Sequence, residues 1–305
     1  MSWVLIFEQA LNGLQFGLML FLLAAGLTLV FGIMDMINLA HGSLYMLGAF
    51  LASTFVELTG SFTAGVLLAV PATAVLGMLL EVSLLRSLYQ RDHLSQVLAT
   101  FALILILNEV VRLVWGSDAS LPMPAALSGP VELLPGLRYP AYRLLIIAVG
   151  IVVALLLYFL VTKTRVGMLV RAGASNREMA LAMGVDIRRL FTLVFGAGAA
   201  LCAVAGAMLA PLLAVQVGMG ENILILAFVV IVIGGIGSVR GALVGAVLVG
   251  VADTIGRAFL PLAFGLVFQP RVASAAGPAI ASVSIYLLMA VILYFKPQGL
   301  FPARG

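Results

Sequence analysis

The hydrophobic positions fall into about nine blocks separated by short polar intervals, most near the ~20 residues that cross a ~30 Å hydrocarbon core. They cover residues 6–31, 37–56, 62–85, 95–115, 144–161, 190–215, 223–236, 242–260 and 278–295, the seventh being short. The pattern predicts an all-α, polytopic transmembrane helical bundle with about 8–10 spans, in a single domain over residues 1–305.

The polar intervals set the expected orientation. Residues 86–93 carry Arg86, Arg91 and His93, and residues 163–189 carry Lys163, Arg165, Arg171, Arg177, Arg188 and Arg189 against only Glu178 and Asp186. Excess Lys and Arg beside spans marks a cytoplasmic loop, and two spans separate these two loops. The connection at 116–143, with Pro122, Pro124, Pro130, Pro135 and Pro140, then faces outward. Counting spans puts the N-terminus outside and Lys296 and Arg304 inside. Arg138, Arg143, Arg257 and Arg271 fall outside, so the charge rule is obeyed on balance. No Lys or Arg precedes Arg86, which argues against a cleavable signal and for a retained first span.

Inside 163–189 lies a short helix with readable ends. Ser175, Asn176, Arg177 and Glu178 fit a capping box with Ser175 at the cap. Gly184 supplies a left-handed stop, and Asp186 can cap the next helix, which enters the membrane at Leu190. Two readings fit: a docking element for a cytoplasmic partner, or a basic loop that only fixes orientation.

Polar residues also interrupt the apolar pattern at 34–43, MDMINLAHGS. Asp35, Asn38 and His41 cluster there with Gly42 and Ser43. Such a segment is a broken helix that exposes backbone to a passing polar solute, or a tight cytoplasmic turn with Asn38 or Ser43 as cap. Taken alone, His41 reads as a structural histidine. Glu109 with Arg112, and Asp253 with Arg257, are spaced to neutralise each other on one helix face, and Glu81 lies about a turn before Arg86.

Small residues dominate the second half. Gly196, Ala200 and Ala207 form one stripe; Gly198, Cys202, Gly206 and Ala210 form another. Gly241 with Gly245, and Ala242 with Ala246 and Gly250, continue the spacing. It predicts closely approaching helices and a close subunit interface. Gly234, Gly235, Gly237 and Ser238 either line a passage with exposed carbonyls or serve tight packing. MINLAHGS and GGIGSVRG each sit between an apolar span and a small-residue span, a weak hint of an internal repeat.

Composition narrows the class. Residues are 64% hydrophobic and 9% charged, where a soluble domain has about 25% charged, so no water-facing domain of any size is possible. The net charge of +4 reports membrane orientation rather than nucleic-acid binding. The lone Cys202 offers no disulfide within the chain and reads as a small packing residue. There is no GxxxxGK[ST] loop, no metal-ligand cluster and no Ser/His/Asp arrangement in a polar domain. Transport without a cofactor fits better than catalysis. A stand-alone secondary transporter or channel, and an integral-membrane enzyme or assembly factor, are the competing classes.

Several motifs together carry a resemblance. Residues 26–43, GLTLVFGIMDMINLAHGS, 171–208, 234–246 (GGIGSVRGALVGA) and 296–301 (KPQGLF) resemble the permease subunits of branched-chain amino-acid ABC importers. The MINLAHG form is closer to the LivH-type subunit than to its LivM-type partner. The resemblance implies a permease fold of the ABC-importer type in the bacterial inner membrane. It also implies a LivM-type permease partner, two ATP-binding cassette ATPase subunits and an extracytoplasmic substrate-binding protein. Residues 163–189 would hold the coupling loop. In it, Glu178, Ala180 and Gly184 fit the Glu, small-residue and Gly pattern of the ATPase-docking loop, while Met179 departs from it. The candidate coupling residues are therefore Ser175, Asn176, Arg177, Glu178, Ala180 and Gly184. The candidate path residues, read from the polar breaks themselves, are Asn38, His41, Ser43, Gly234, Gly235, Gly237 and Ser238.

Overall fold

The computed structural model describes residues 3–301, so Arg304 lies outside the described residues. Eleven helices run in order: α1 (Trp3–Met34), α2 (His41–Thr59), α3 (Phe62–Ser83), α4 (His93–Trp115), α5 (Ala141–Lys163), α6 (Arg165–Ser175), α7 (Arg177–Ala182), α8 (Ile187–Leu209), α9 (Met219–Gly234), α10 (Val239–Phe264) and α11 (Pro270–Phe295). Eight of them are long and apolar enough to span a membrane, and α9 is shorter. All nine blocks of the hydrophobic pattern become helices.

Two ends of the bundle are distinct. At one end, strand β1 (Asp118–Ala119) pairs antiparallel with β4 (Val215–Gln216), and β2 (Pro130–Leu134) forms a hairpin with β3 (Leu137–Pro140). The hairpin is tied to the start of α1, where the Tyr139 hydroxyl and the Arg143 guanidinium both donate to Asn12 Oδ1. At the other end lie α6, α7 and the chain's last described residues. There Leu300 N donates to Ile233 O and Phe301 N to Gly234 O, both at 2.9 Å. Eight long helices and the shorter α9 run between these ends, and the described chain starts at the hairpin end and finishes at the Arg-rich end. That agrees with the parity read from the loop charges.

Helices α1, α2 and α8 form the buried centre, while α3, α4, α5 and α11 leave most of their apolar surface outward. Lipid supplies no hydrophobic drive between helices, so close backbone packing has to hold the centre. The small-residue stripes do this work. A Cβ on Gly206 would collide with the Tyr45 carbonyl of α2, and one on Gly250 would collide with Gly13 and Gly17 of α1. Gly196 faces Met78 of α3, and Gly245 faces Val230 of α9. The stripes are therefore consumed inside the chain. The expectation that they form a subunit interface is corrected on this point, because their partners are this chain's own helices.

The charge pairs form as spaced. Arg112 meets Glu109 at 2.9 Å and Arg257 meets Asp253 at 2.8 Å. Glu81 is fully buried and receives Arg86 at 3.0 Å, Tyr89 Oη at 2.7 Å and Thr192 Oγ1 at 2.6 Å. It joins α3 to α8 through one carboxylate. Burial first, then the bond to Glu81, pushes the Tyr89 phenol well above its ordinary range, so it stays a donor at neutral pH. Removing one member of a buried pair costs about 3–5 kcal/mol, and the partial exposure of Arg86 reduces this. Glu81→Gln is expected to destabilise the chain by about 2 kcal/mol. Glu109→Gln, in an exposed pair, should change stability by less than about 0.5 kcal/mol. Thermal unfolding in detergent checks both; equal midpoints for the two variants would contradict this account of Glu81.

Candidate functional site

The Arg-rich connection between α5 and α8 folds as two helices rather than one. The first, α6, begins when Thr164 Oγ1 accepts from Gly167 N at 3.1 Å, and it buries Gly167, Val170 and Gly173. It packs on Ile33 of α1 and on Ile187 and Leu190 of α8. The second, α7, follows at once. Its cap is Asn176, whose Oδ1 accepts from Met179 N at 2.9 Å. Ser175 is instead the last residue of α6, so the expected Ser175–Glu178 capping box does not form. The physical reason is that α6 runs on to the very residue that the box requires in extended form.

The end of α7 is as the sequence predicts. Gly184 has φ +83, its N–H returns to Leu181 O at 3.0 Å, and Val185 N returns to Ala180 O at 3.1 Å. These two bonds make a Schellman stop, which a left-handed glycine permits without strain. Asp186 then caps α8 by accepting from Arg189 N at 3.1 Å.

Only Ala180 of α7 is buried. Glu178 stands exposed in the first turn. Met179, Leu181 and Met183 expose 60%, 53% and 79% of their surface. Three large apolar side chains thus stand out from one turn of a polar loop. One cation links that surface to the bundle. The Arg177 guanidinium lies 4.7 Å from the ring centre of Phe191, which is buried in α8 and meets Tyr89 edge-on at 5.3 Å. Tyr89 in turn holds Glu81 of α3. Arg177, Phe191, Tyr89 and Glu81 thus form one run of contacts from α7 to α8 and α3. Neither Phe191 nor the exposed apolar trio was a sequence candidate; Met179, Leu181 and Met183 in a basic loop were the available signal.

The path candidates separate into three places. Asn38, His41 and Ser43 lie in the interior. The segment 35–40 leaves the end of α1, with Asp35 at φ +49, and turns back. Ile37 N reaches Gln96 Oε1 near the start of α4, and Asn38 Oδ1 accepts from Ala40 N at 3.0 Å. His41 then sits beside Gly26 of α1 and Gly198 of α8, 3.1 Å from Cys202 Sγ. Gly26 lies eight residues inside the end of α1, about 12 Å along the helix. The polar break thus leads from the end of α1 to a His41 buried about 12 Å along the bundle, and the tight-turn reading is corrected in its cap. The cap position of α2 is Ala40, which makes no side-chain cap bond, so neither Asn38 nor Ser43 caps it as that reading required. Asn38 Nδ2, His41 Nδ1 and Thr28 Oγ1 are buried without hydrogen-bond partners.

Gly234 and Gly235 are elsewhere. Gly234 presses on Gly241 of α10, Gly235 presses on Gln298 and Phe301, and both are buried. Gly237 and Ser238 remain half-buried and line a cavity at the Arg-rich end. The break at 35–40 runs into the buried interior, whereas 235–238 is a short turn, so the two motifs do not fold alike.

A family model described as "Branched-chain amino acid transport system / permease component" matches residues 9–295. The chain belongs to this family. The permease is 30% identical to the high-affinity branched-chain amino acid transport system permease protein BraD of Pseudomonas aeruginosa, over 96% of this chain and 94% of the relative. It is 29% identical to the LivH permease protein of Escherichia coli K12, over 83% of this chain and 86% of the relative. A probable LivH permease protein of Methanocaldococcus jannaschii is 30% identical over 82% of this chain and 81% of the relative. No solved structure matches. The permease is a multi-pass membrane subunit of an ABC transport system, and its family is a transport family rather than an enzyme family. The ATPase of such a system is in separate subunits. A stand-alone carrier and a membrane enzyme are thereby set aside.

Proposed function

We propose that this permease forms half of the translocation path of an ATP-driven importer for branched-chain or related amino acids in the bacterial inner membrane. Its partners are a LivM-type permease subunit, two ATP-binding cassette ATPase subunits and an extracytoplasmic substrate-binding protein. Residues 1–305 act as one permease domain, with 163–189 as its coupling loop. The Arg-rich end faces the cytoplasm, as its charge requires.

The observation that carries this reading is α7 itself, a capped turn presenting Met179, Leu181 and Met183 to the outside. An ATPase groove that seats these side chains would move α7 when nucleotide closes the ATPase pair. Arg177 on Phe191 passes the motion to α8. Helix α8 abuts the broken segment at His41. Opening there would give Asn38 Nδ2 and His41 Nδ1, which are buried without partners, access to a polar solute. The ATPase must bind the two conformations with different free energies, since equal binding shifts nothing.

Uptake of labelled leucine into proteoliposomes tests the proposal. Uptake is expected only with the partner permease, the ATPase subunits, ATP and loaded binding protein together. Ion-gradient-driven uptake by this chain alone would refute it.

A further inference from the structure

At the Arg-rich end a cavity of about 860 Å3 opens between the end of α1, the end of α5, α6 and the turn before α10. Arg171, Arg177 and Arg240 line it, with Asp35 as the one acid among its lining residues. Among the described residues none of the three arginines forms a salt bridge. Ser238 caps α10 at the cavity wall, accepting from Gly241 N at 3.1 Å, so the positive end of a 26-residue helix adds to the field. Arg240 is held 5.5 Å from the ring centre of Tyr158. Tyr158 stands on α5 among Leu155, Leu156 and Phe159, each more than half exposed on the apolar outer face. The cavity therefore lies where the exposed apolar face of α5 meets three guanidinium groups without a carboxylate partner among the described residues, Arg171 donating to Val161 O and Arg177 lying over Phe191.

We infer that this cavity binds the phosphate of an anionic phospholipid headgroup from the inner leaflet, with the acyl chains lying along α5. Guanidinium groups give phosphate oxygens paired charge-assisted hydrogen bonds. Basic pockets between helices on the cytoplasmic side are suited to anionic headgroups, and an interfacial tyrosine matches the headgroup level. A free phosphate would satisfy the same arginines but would leave the apolar wall of α5 unused. The inference rests on the inner-side placement of α6 and α7. A bound lipid would bridge α1, α5, α6 and α10, and so brace the platform from which α7 projects.

Native mass spectrometry of the assembled transporter in detergent, titrated with phosphatidylglycerol or phosphatidylcholine, tests this directly. Phosphatidylglycerol should be retained about tenfold more tightly by the wild type, and the Arg171→Gln/Arg240→Gln variant should lose that preference. Asp35→Asn keeps a residue type tolerant of the left-handed backbone and removes the opposing charge, so it should tighten phosphatidylglycerol binding several-fold, about two- to fivefold. A misfolded variant cannot produce that gain. Equal retention of the two lipids, or an unchanged preference in the double arginine variant, would overturn the inference. So would displacement of phosphatidylglycerol by inorganic phosphate at equal concentration, which would assign the site to free phosphate.

Discussion

Met183→Asp is expected to reduce ATP-driven uptake about tenfold or more while leaving the helical bundle folded, because a buried interface anchor contributes about 2 kcal/mol or more. Met183 exposes 79% of its surface and closes α7 just before Gly184, so the chain's own packing does not depend on it. A carboxylate at that position would be buried unpaired in any apolar groove that receives α7. Gly184→Val acts on the same turn by another route. No atom lies near the added side chain, yet φ +83 is a backbone state that a β-branched residue rarely adopts. The turn must rearrange, and α7 is released from its fixed direction. Met183→Asp should keep stability within about 1 kcal/mol of wild type and Gly184→Val within about 3 kcal/mol, and both should lose stimulation of the ATPase by loaded binding protein. Full stimulation in both would remove α7 from the coupling step.

The second large effect lies in the bundle centre. Gly206→Val should prevent accumulation of folded permease. A Cβ there meets the carbonyl of Tyr45, with the backbone of Ala49 also close, and backbone cannot give as a flexible side chain does. Overpacking costs about 1–3 kcal/mol in adaptable cores, and this site should exceed that range. Gly129→Val, in the outer connection with nothing near its Cβ, is the matched control and should fold normally. Size-exclusion profiles of the solubilised proteins read the difference. Comparable monodisperse yields from the two variants would show that α2 and α8 do not pack as described.

Much of this architecture is legible in the sequence. Apolar blocks of roughly 20 residues can do little else in lipid than form spanning helices. Local chemistry also reveals the stop at Gly184 and the cap at Asp186, since each needs only its nearest neighbours. The start of α7 lies one residue later than the capping pattern predicts, because α6 leaves little signal of its own. Two of its three buried positions, Gly167 and Gly173, carry no apolar signal, and the loop charge masks Val170 between them. The depth of the break at 35–40 was likewise hidden. Polarity marks the break, but only the contacts of His41 with Gly26 and Gly198 set it inside the bundle. The same limit applies to Gly234 and Gly235. A glycine that lines a passage and one that admits a neighbouring backbone look identical until Gly241, Gln298 and Phe301 are seen against them.

Cysteine cross-linking from position 183 tests the central claim most directly. Cys202 is the chain's only cysteine and is buried, so Met183→Cys places a single accessible thiol on α7. In the assembled transporter that thiol should cross-link to the ATPase subunit, with a yield that changes when ATP binds. A thiol that instead reacts with a water-soluble maleimide at one rate, with or without the ATPase and with or without nucleotide, would contradict the account.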